Sequence, residues 1–344
     1  MSLPRIGLFK QGVKVILDTL NSLFEGVSDM ATAMKAARIH EYGGPDALRV
    51  EDCPVPAAAD DEVLIRVVAA AVNPVDWKIR EGYLREMIPH TFPLTLGWDV
   101  SGVIERVGKA VDGFAIGDAV YSRPDLTRDG AFAEYIAVRA SEIAHKPTTI
   151  SFAEAASLPL AGITAWEALI NSGRLGQGQS VLIHAAAGGV GSLAVQLAKW
   201  KGARVIATAS AGNLPLVSSL GADQVIDYRN IAFEEQVSGV DMVFDTMGGD
   251  VQEASWSVIR PGGVLVSVVE PPTAERAAQA GVEGKFVFIQ PSAAILRELA
   301  RLVDEGTVRP IVGAEFSLAN IAKAHALSES GRARGKIVIH VGQP

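Results

Sequence analysis

Apolar residues recur at every second position, in short bursts, through the first half of the chain. In the second half, brief apolar runs are separated by stretches of helical spacing. From Met34 to about Ser157 the pattern is strand-rich and broken by turns. An alternating segment starts at Met34-Lys35, and residues 63–69 read as a buried strand that ends at Asn73-Pro74. Residues 102–108, 119–121 and 131–138 give further short strands, several with glycine or aspartate at their borders. Strands at this spacing predict a partly closed, mostly β domain.

After Leu158 the rhythm changes. Apolar strands at 181–184, 204–208, 223–227, 241–245 and 263–269 alternate with helical stretches, the clearest at 190–200 and another running through Leu220. That order predicts βαβ units and an α/β, doubly wound parallel sheet covered on both faces. Helical stretches at 291–305 and 316–325 follow, then a closing strand at 336–341. A last strand placed after two helices can return to the first domain, and the pattern leaves that open. Ahead of all this, Phe9, Val13, Ile16, Leu17, Leu20 and Phe24 share one helical face, led by Arg5, Lys10 and Lys14 and interrupted by Asp18. Residues 1–33 therefore read as an N-terminal extension with one amphipathic helix. A targeting helix, a partner-docking helix and a start-site artefact are the open readings.

Length and charge narrow the class. The 344 residues leave room for about two domains of roughly 150 each. With 31 basic against 39 acidic residues the net charge is −8, which lacks the footprint of general nucleic-acid binding. No apolar run reaches about 18 residues, so no membrane span is expected. The single cysteine, Cys53, cannot form an internal disulfide and points to a reducing, cytoplasmic setting. It also excludes a multi-cysteine zinc site.

The sharpest chemical signal is Ala185-Ala186-Ala187-Gly188-Gly189-Val190-Gly191. Ala186, Gly188 and Gly191 have the G-x-G-x-x-G spacing with alanine first, between a strand and a helix. Small residues there allow a tight turn, backbone approach to a pyrophosphate and close helix–strand packing. The following helix N-terminus offers free N–H groups to phosphates. A dinucleotide site is expected, and its type depends on the end of the next strand. An NAD site wants an acid there for the ribose hydroxyls. This chain has Thr208-Ala209-Ser210-Ala211-Gly212-Asn213, with no acid until Asp223. Ser210 and Asn213 can donate to a 2′-phosphate, with Tyr228 or Arg229 in reach after the third strand, so NADPH is preferred. Ser210 and Asn213 are also good helix caps.

The six histidines, at 40, 90, 145, 184, 325 and 340, have no ligand spacing, and His184 at a strand end reads as structural. No protein-built metal site is expected. Without a Lewis acid to stabilise an alkoxide, hydride donation to an already electrophilic acceptor is the easier reaction.

Several motifs together resemble the quinone oxidoreductase branch of the medium-chain dehydrogenase/reductase superfamily, in that family's order from Met34 onward. They are Asn73-Pro-Val-Asp76-Trp-Lys78-Ile-Arg80-Glu-Gly82, Leu96-Gly97-Trp98-Asp99-Val-Ser-Gly102, Gly117-Asp118-Ala-Val-Tyr121 and Gly130-Ala131-Phe-Ala-Glu134-Tyr135. The phosphate turn, Leu220-Gly-Ala-Asp-Gln-Val-Ile-Asp-Tyr228, Asp245-Thr-Met-Gly-Gly249 and Gly335-Lys336 complete the set. Zinc enzymes of the superfamily carry cysteine at the position of Asn73 and Gly-His-Glu at Gly97-Trp98-Asp99.

The resemblance implies a GroES-like catalytic domain over residues 34–157 and 293–344, a Rossmann domain over 158–292, and a cofactor in the cleft between them. It implies Asn73 near the nicotinamide ribose or substrate carbonyl, although an Asx-type turn before Pro74 is also open. Lys78 and Tyr83 become candidates for proton donor or carbonyl anchor, with a solvated surface lysine the plainer reading of Lys78. Asp99 is expected to hold a loop. Gly189, Val190, Asp245, Thr246, Val268, Val269 and Lys336 join the cofactor set. Homodimers through the sheet edge are implied, with residues 263–269 as that edge. The expected activity is NADPH-dependent, zinc-independent hydride transfer to a small electrophile, a quinone or α,β-unsaturated carbonyl. An enoyl-thioester reductase and a non-catalytic NADPH-binding protein are the alternatives.

Overall fold

A computed structural model describes residues 33–343 of the chain. The amphipathic segment expected over 1–33 lies, apart from Ala33, outside the described residues. The second half builds a six-stranded, all-parallel sheet. Its spatial order is Gln224–Asp227, Arg204–Ala209, Ser180–Ile183, Val240–Asp245, Ile259–Ser267, Glu283–Phe286. Counted along the chain this is 3-2-1-4-5-6, with the reversal between Ser180–Ile183 and Val240–Asp245. Ligands bind outside the carboxyl ends of strands at such a reversal.

Two-residue periodicity explains why both faces are covered. Val181 and Ile183 point into the same core as Leu193 and Leu197 of helix Gly189–Trp200, while Leu182 joins Phe233 and Trp256 on the other face. Val205 and Ile206, and Met242 and Val243, divide the same way. Helix Ala293–Asp304, grouped from sequence with the β-rich domain, buries Leu296, Leu299 and Leu302 in the parallel-sheet core. The same core takes in Tyr121 and Ala144 of the β-rich half, so this helix packs between the two.

The first half forms a separate three-stranded sheet and supplies five strands of a seven-stranded, mostly antiparallel one, whose other two come from the C-terminal region. Its spine is strand Glu62–Val72, eleven residues and buried nearly throughout. The closing strand Lys336–His340 pairs antiparallel with it, Ile337 opposite Val72 and His340 opposite Ala69. The C-terminus thus returns to the β-rich layer and passes the phosphate turn on its way. Gly335 bridges Gly188, and its N–H donates to Ala187 O at 2.8 Å.

Two element expectations change. Residues 316–325 are not one helix: Phe316 and Ser317 end strand Val312–Ser317, and the helix is Ile321–Glu329. Phe316 lies beside Ile339 in a parallel pair, and that partner overrides the local helical spacing. Residues 263–269 are not the sheet edge either. Strand Ile259–Ser267 is paired on both sides, and the edge on its side of the sheet is Glu283–Phe286. That strand, Glu-Gly-Lys-Phe, carries too little apolar signal to be found from sequence.

Candidate active site

The chain leaves strand Ser180–Ile183 through Ala185, at a positive φ of 48°, and enters helix Gly189–Trp200 at Gly188. No side chain caps this twelve-residue helix, so its first-turn N–H groups and the positive end of its dipole face the groove. Gly191 is sterically required against backbone, and Gly189 leaves room for the Lys336 stem. A Cβ on Gly191 would stand 2.4 Å from Ala185 O and 2.7 Å from Ala186 Cα, and one on Gly189 would stand 2.6 Å from Lys336 Cδ. Ala186 is fully buried under the turn and supports it from behind. A groove of about 210 Å³ brings Gly188, Gly189, Val190 and Gly191 together with Asn73, Thr246 and Lys336.

Farther along the same edge, Asn213 Nδ2 donates to Ser210 Oγ at 3.1 Å, and neither side chain caps the helix that follows. Tyr228 N–H donates to Ala209 O, which holds the backbone of half-exposed Tyr228 next to the end of the second parallel strand. The Arg229 guanidinium lies 5.9 Å from the Tyr228 ring centre. Asp223, the first acid after the second strand, is paired with Lys199 and accepts from Val205 N–H at the opposite end of that strand's partner. No carboxylate side chain of residues 208–213 therefore faces the ribose position.

Asn73, Asp76, Asp99 and Lys336 form a buried polar junction between the two halves. Lys336 Nζ donates to Val72 O at 3.1 Å, to Asp99 Oδ2 at 2.9 Å and to Asn73 Oδ1. An ammonium has three donors, so all are occupied. Lys336, expected among the cofactor ligands, offers the groove its aliphatic stem only. Asn73 Nδ2 donates to Asp99 Oδ2 at 2.8 Å, and Asp99 Oδ1 accepts from Leu160 N–H at 2.6 Å. Asp99 thus ties strand, loop and helix Pro159–Trp166 at one point. Burial pushes its carboxyl upward, against the opposing pull of Lys336.

Asn73 precedes helix Pro74–Arg80, and its N–H donates to Asp76 Oδ2 at 2.6 Å. The side chain of Asn73 is engaged across the junction instead of closing the turn. Asp76 is fully buried, one of its oxygens has no partner, and burial pushes its carboxyl up to about 8. A carboxyl raised in the fold keeps its proton where the unfolded chain has lost it. Asp76 therefore stabilises the fold at acid pH, and this contribution declines between about pH 4 and pH 8, at most about 1.4 kcal/mol per unit. Asp76→Asn should remove that slope and leave a pH-independent offset. Urea unfolding of both proteins at pH 5 and pH 8 checks it; parallel pH dependence would show that Asp76 does not carry the proton.

A second cavity, about 260 Å³, opens between helix Pro74–Arg80 and the carboxyl ends of the parallel strands. Lys78, Thr246, Val268 and Val269 line it, with Asn73 at its border with the groove. Lys78 is half-buried, and desolvation holds its ammonium below the usual lysine range. Arg80, with no side-chain exposure, anchors the helix by donating to Gly43 O and pairing with Glu329. Tyr83 is 69% exposed, packs edge-on against Trp77, and stands outside the cavity lining. Asp245 ends its parallel strand as expected, with its carboxylate engaged within the protein. Its Oδ1 accepts from Met247 and Gly248 N–H, and its Oδ2 from Gln252 Nε2 and Ser267 Oγ. With four donors on a buried carboxylate, Asp245 shapes the loop that presents Thr246. His184 lies between Thr208 Oγ1 and Ser255 Oγ, and burial drops it to about 4, so it is neutral and structural as read.

Sequence reasoning missed Arg123, which is buried in the lining of the cavity, and the role of Asp76. The Asn73-x-x-Asp76 spacing was a capping signal that could have found the second. Nothing in Ser122-Arg123-Pro124 announces the first.

Residues 59–148 match the family described as an alcohol dehydrogenase GroES-like domain, and residues 220–339 match one described as a zinc-binding dehydrogenase. A 2-methylene-furan-3-one reductase of Solanum lycopersicum is 39% identical over 89% of this chain and 79% of its own length. An NADPH-dependent alkenal/one oxidoreductase, chloroplastic, of Arabidopsis thaliana is 38% identical with the same coverage. The solved quinone oxidoreductase from Coxiella burnetii is 38% identical, covers 90% of this chain and all of its own, and superposes with a TM-score of 0.83. The chain belongs to the medium-chain dehydrogenase/reductase superfamily, in its quinone oxidoreductase branch.

One of those family descriptions implies zinc, and the residues at the junction do not fit it. The Lys336 ammonium sits in hydrogen-bond contact with both Asn73 and Asp99, where a metal cation would be repelled. Among the described residues no three His, Cys, Asp or Glu side chains gather into a metal-binding group.

Proposed function

We propose that this protein is an NADPH-dependent, zinc-independent reductase of quinones or α,β-unsaturated carbonyl compounds. The observation that carries the reading is the continuity of the glycine-lined groove with an apolar cavity through Asn73, Val190 and Thr246, which border both. Residues 34–157 with the C-terminal strand would hold the acceptor, and the parallel-sheet half would hold the dinucleotide. Gly188, Gly189 and Gly191 fit a pyrophosphate, because they line the groove at the uncapped helix end, and Gly191 lets the turn pack closely on the helix. Ser210, Asn213 and Tyr228, with Arg229, suit a 2′-phosphate. Bound NADPH supplies the hydride.

The chain's own part is positioning and proton supply. Val268 and Val269 present an apolar wall that excludes water from the reacting face. Asn73, clamped by Asp99 and Lys336, fixes the start of the helix that carries Lys78. Lys78 is the proton donor in this reading, since desolvation brings its ammonium nearer the working pH. Lys78→Met should lower kcat by roughly a hundredfold, and wild-type kcat should fall as pH rises through a value below that of ordinary lysine. Tyr83→Phe should stay within about twofold, as expected for a surface group. Steady-state rates across pH settle both; a Tyr83 variant more impaired than the Lys78 variant would transfer the role.

The direct test is an acceptor panel of quinones, alkenals and acyl thioesters run with NADPH and NADH. Turnover of a quinone or alkenal that survives a chelator supports the reading, and EDTA-sensitive turnover overturns its zinc-independent part. A homodimer across the free edge Glu283–Phe286 fits the exposure of Phe286 and Phe288 there, and a monomer in sedimentation velocity would remove it. Buried, unpaired Cys53 suits the reducing cytoplasm.

A further inference from the structure

The acceptor cavity has a charge pattern that simple neutral acceptors do not explain. Its ionisable lining residues are Lys78 and Arg123, both cations, in a chain whose net charge is −8. Arg123 follows strand Ala119–Ser122 and is 2% exposed. Among the described residues its one hydrogen bond is a long 3.3 Å contact from Nη2 to Ile289 O, and its buried Nε has no partner. Of the nearby carboxyl groups, Asp125 and Glu142 pair with Arg139, Asp99 pairs with Lys336, and Asp76 is pushed by burial toward its neutral form. Burial lowers the Arg123 guanidinium to about 10, which still leaves it charged at neutral pH.

Arg80 shows what this fold does with a buried arginine when no ligand is involved. It donates to Gly43 O, contacts His325 and pairs with Glu329. A buried cation with most of its donors idle is costly. Its planar fork matches a carboxylate, which can accept two parallel hydrogen bonds from it.

We infer that the acceptor carries a carboxylate in addition to its conjugated carbonyl, and that Arg123 binds that carboxylate inside the cavity. The inference rests on the reductase reading and names its substrate class. At about 260 Å³ the cavity is below the roughly 300–1,000 Å³ typical of drug-sized ligands, so the acid is short. In the reaction the C=C bond takes a hydride at its β-carbon from NADPH, which departs as NADP⁺, and a proton at its α-carbon. The carboxylate is unchanged and serves to hold the acceptor in register.

The test compares 6-oxohept-4-enoic acid with its methyl ester, a pair in which two methylenes insulate the enone from the change in charge. The full chain should favour the acid by about tenfold or more in kcat/KM, and Arg123→Gln should reduce that ratio at least about tenfold through the KM of the acid. Arg123→Lys should recover part of it. NADPH fluorescence titration verifies that each variant is folded. An acid-to-ester ratio near one in the wild type, or one unchanged in Arg123→Gln, overturns the inference and leaves the reductase reading standing. Reduction of neither compound, nor of any quinone or alkenal, by a chain that binds NADPH overturns the reductase reading and the inference with it.

Discussion

Lys336→Met is expected to destabilise the folded chain by about 3–5 kcal/mol, the usual cost of leaving one member of a buried ion pair behind. Methionine matches the lysine stem, so the packing against Gly189 is retained while the charge is lost. What remains is Asp99, fully buried, with one oxygen still accepting from Leu160 N–H and the other from Asn73 alone. Asn73 Oδ1 and Val72 O lose their donor at the same time. The sign of the pH dependence follows from Asp99. Burial already raises its carboxyl and Lys336 opposes that rise. Without the ammonium, Asp99 keeps its proton to higher pH in the fold than in the unfolded chain. The penalty should be smaller at pH 5 and grow toward pH 8. Denaturant titrations at both values measure it. A loss below about 1 kcal/mol would place Lys336 among ordinary surface pairs, and Asp99→Asn with Lys336→Met should be milder than Lys336→Met alone.

Ser210→Asp is expected to reverse the choice of dinucleotide. Ser210 follows the second parallel strand and accepts from Asn213 Nδ2, and Tyr228, with Arg229 over its ring, is bonded to the adjoining Ala209 O. A carboxylate there would accept both ribose hydroxyls of NADH and oppose a 2′-phosphate. Two like charges about 5 Å apart at an effective dielectric near 20 repel by roughly 3 kcal/mol. That corresponds to about a hundredfold loss in kcat/KM with NADPH, with a gain of about tenfold for NADH. Initial rates with either cofactor and one acceptor measure the ratio. A ratio that does not move would mean the 2′-phosphate lies elsewhere, with Arg229 the next position to examine.

Local patterns carried most of the architecture. The strand–turn–helix context of Ala186, Gly188 and Gly191, and the missing acid at 208–213, depend on neighbours in the chain. The structure keeps both as read. Errors fell where a distant partner decides the outcome. Phe316 and Ser317 joined a strand because Ile339 and His340 lie beside them. The sheet edge moved because a short polar strand pairs beyond Ile259–Ser267. Asp245 has its carboxylate engaged by four donors, two of them from Gln252 and Ser267, which only the fold brings to it.

The same division runs through the site. By itself the sequence determined the sheet type, the position of the phosphate turn and the absence of an acid after the second strand, because each is set by spacing within a few residues. Only the tertiary structure decided what the charged groups do. Lys336, Asn73 and Asp99 are far apart in sequence and meet because the last strand crosses back to Glu62–Val72. Arg123 became notable only once burial was known, since a guanidinium at the surface needs no partner and one in a cavity does. Charge is visible in a sequence, whereas desolvation and pairing exist only after folding.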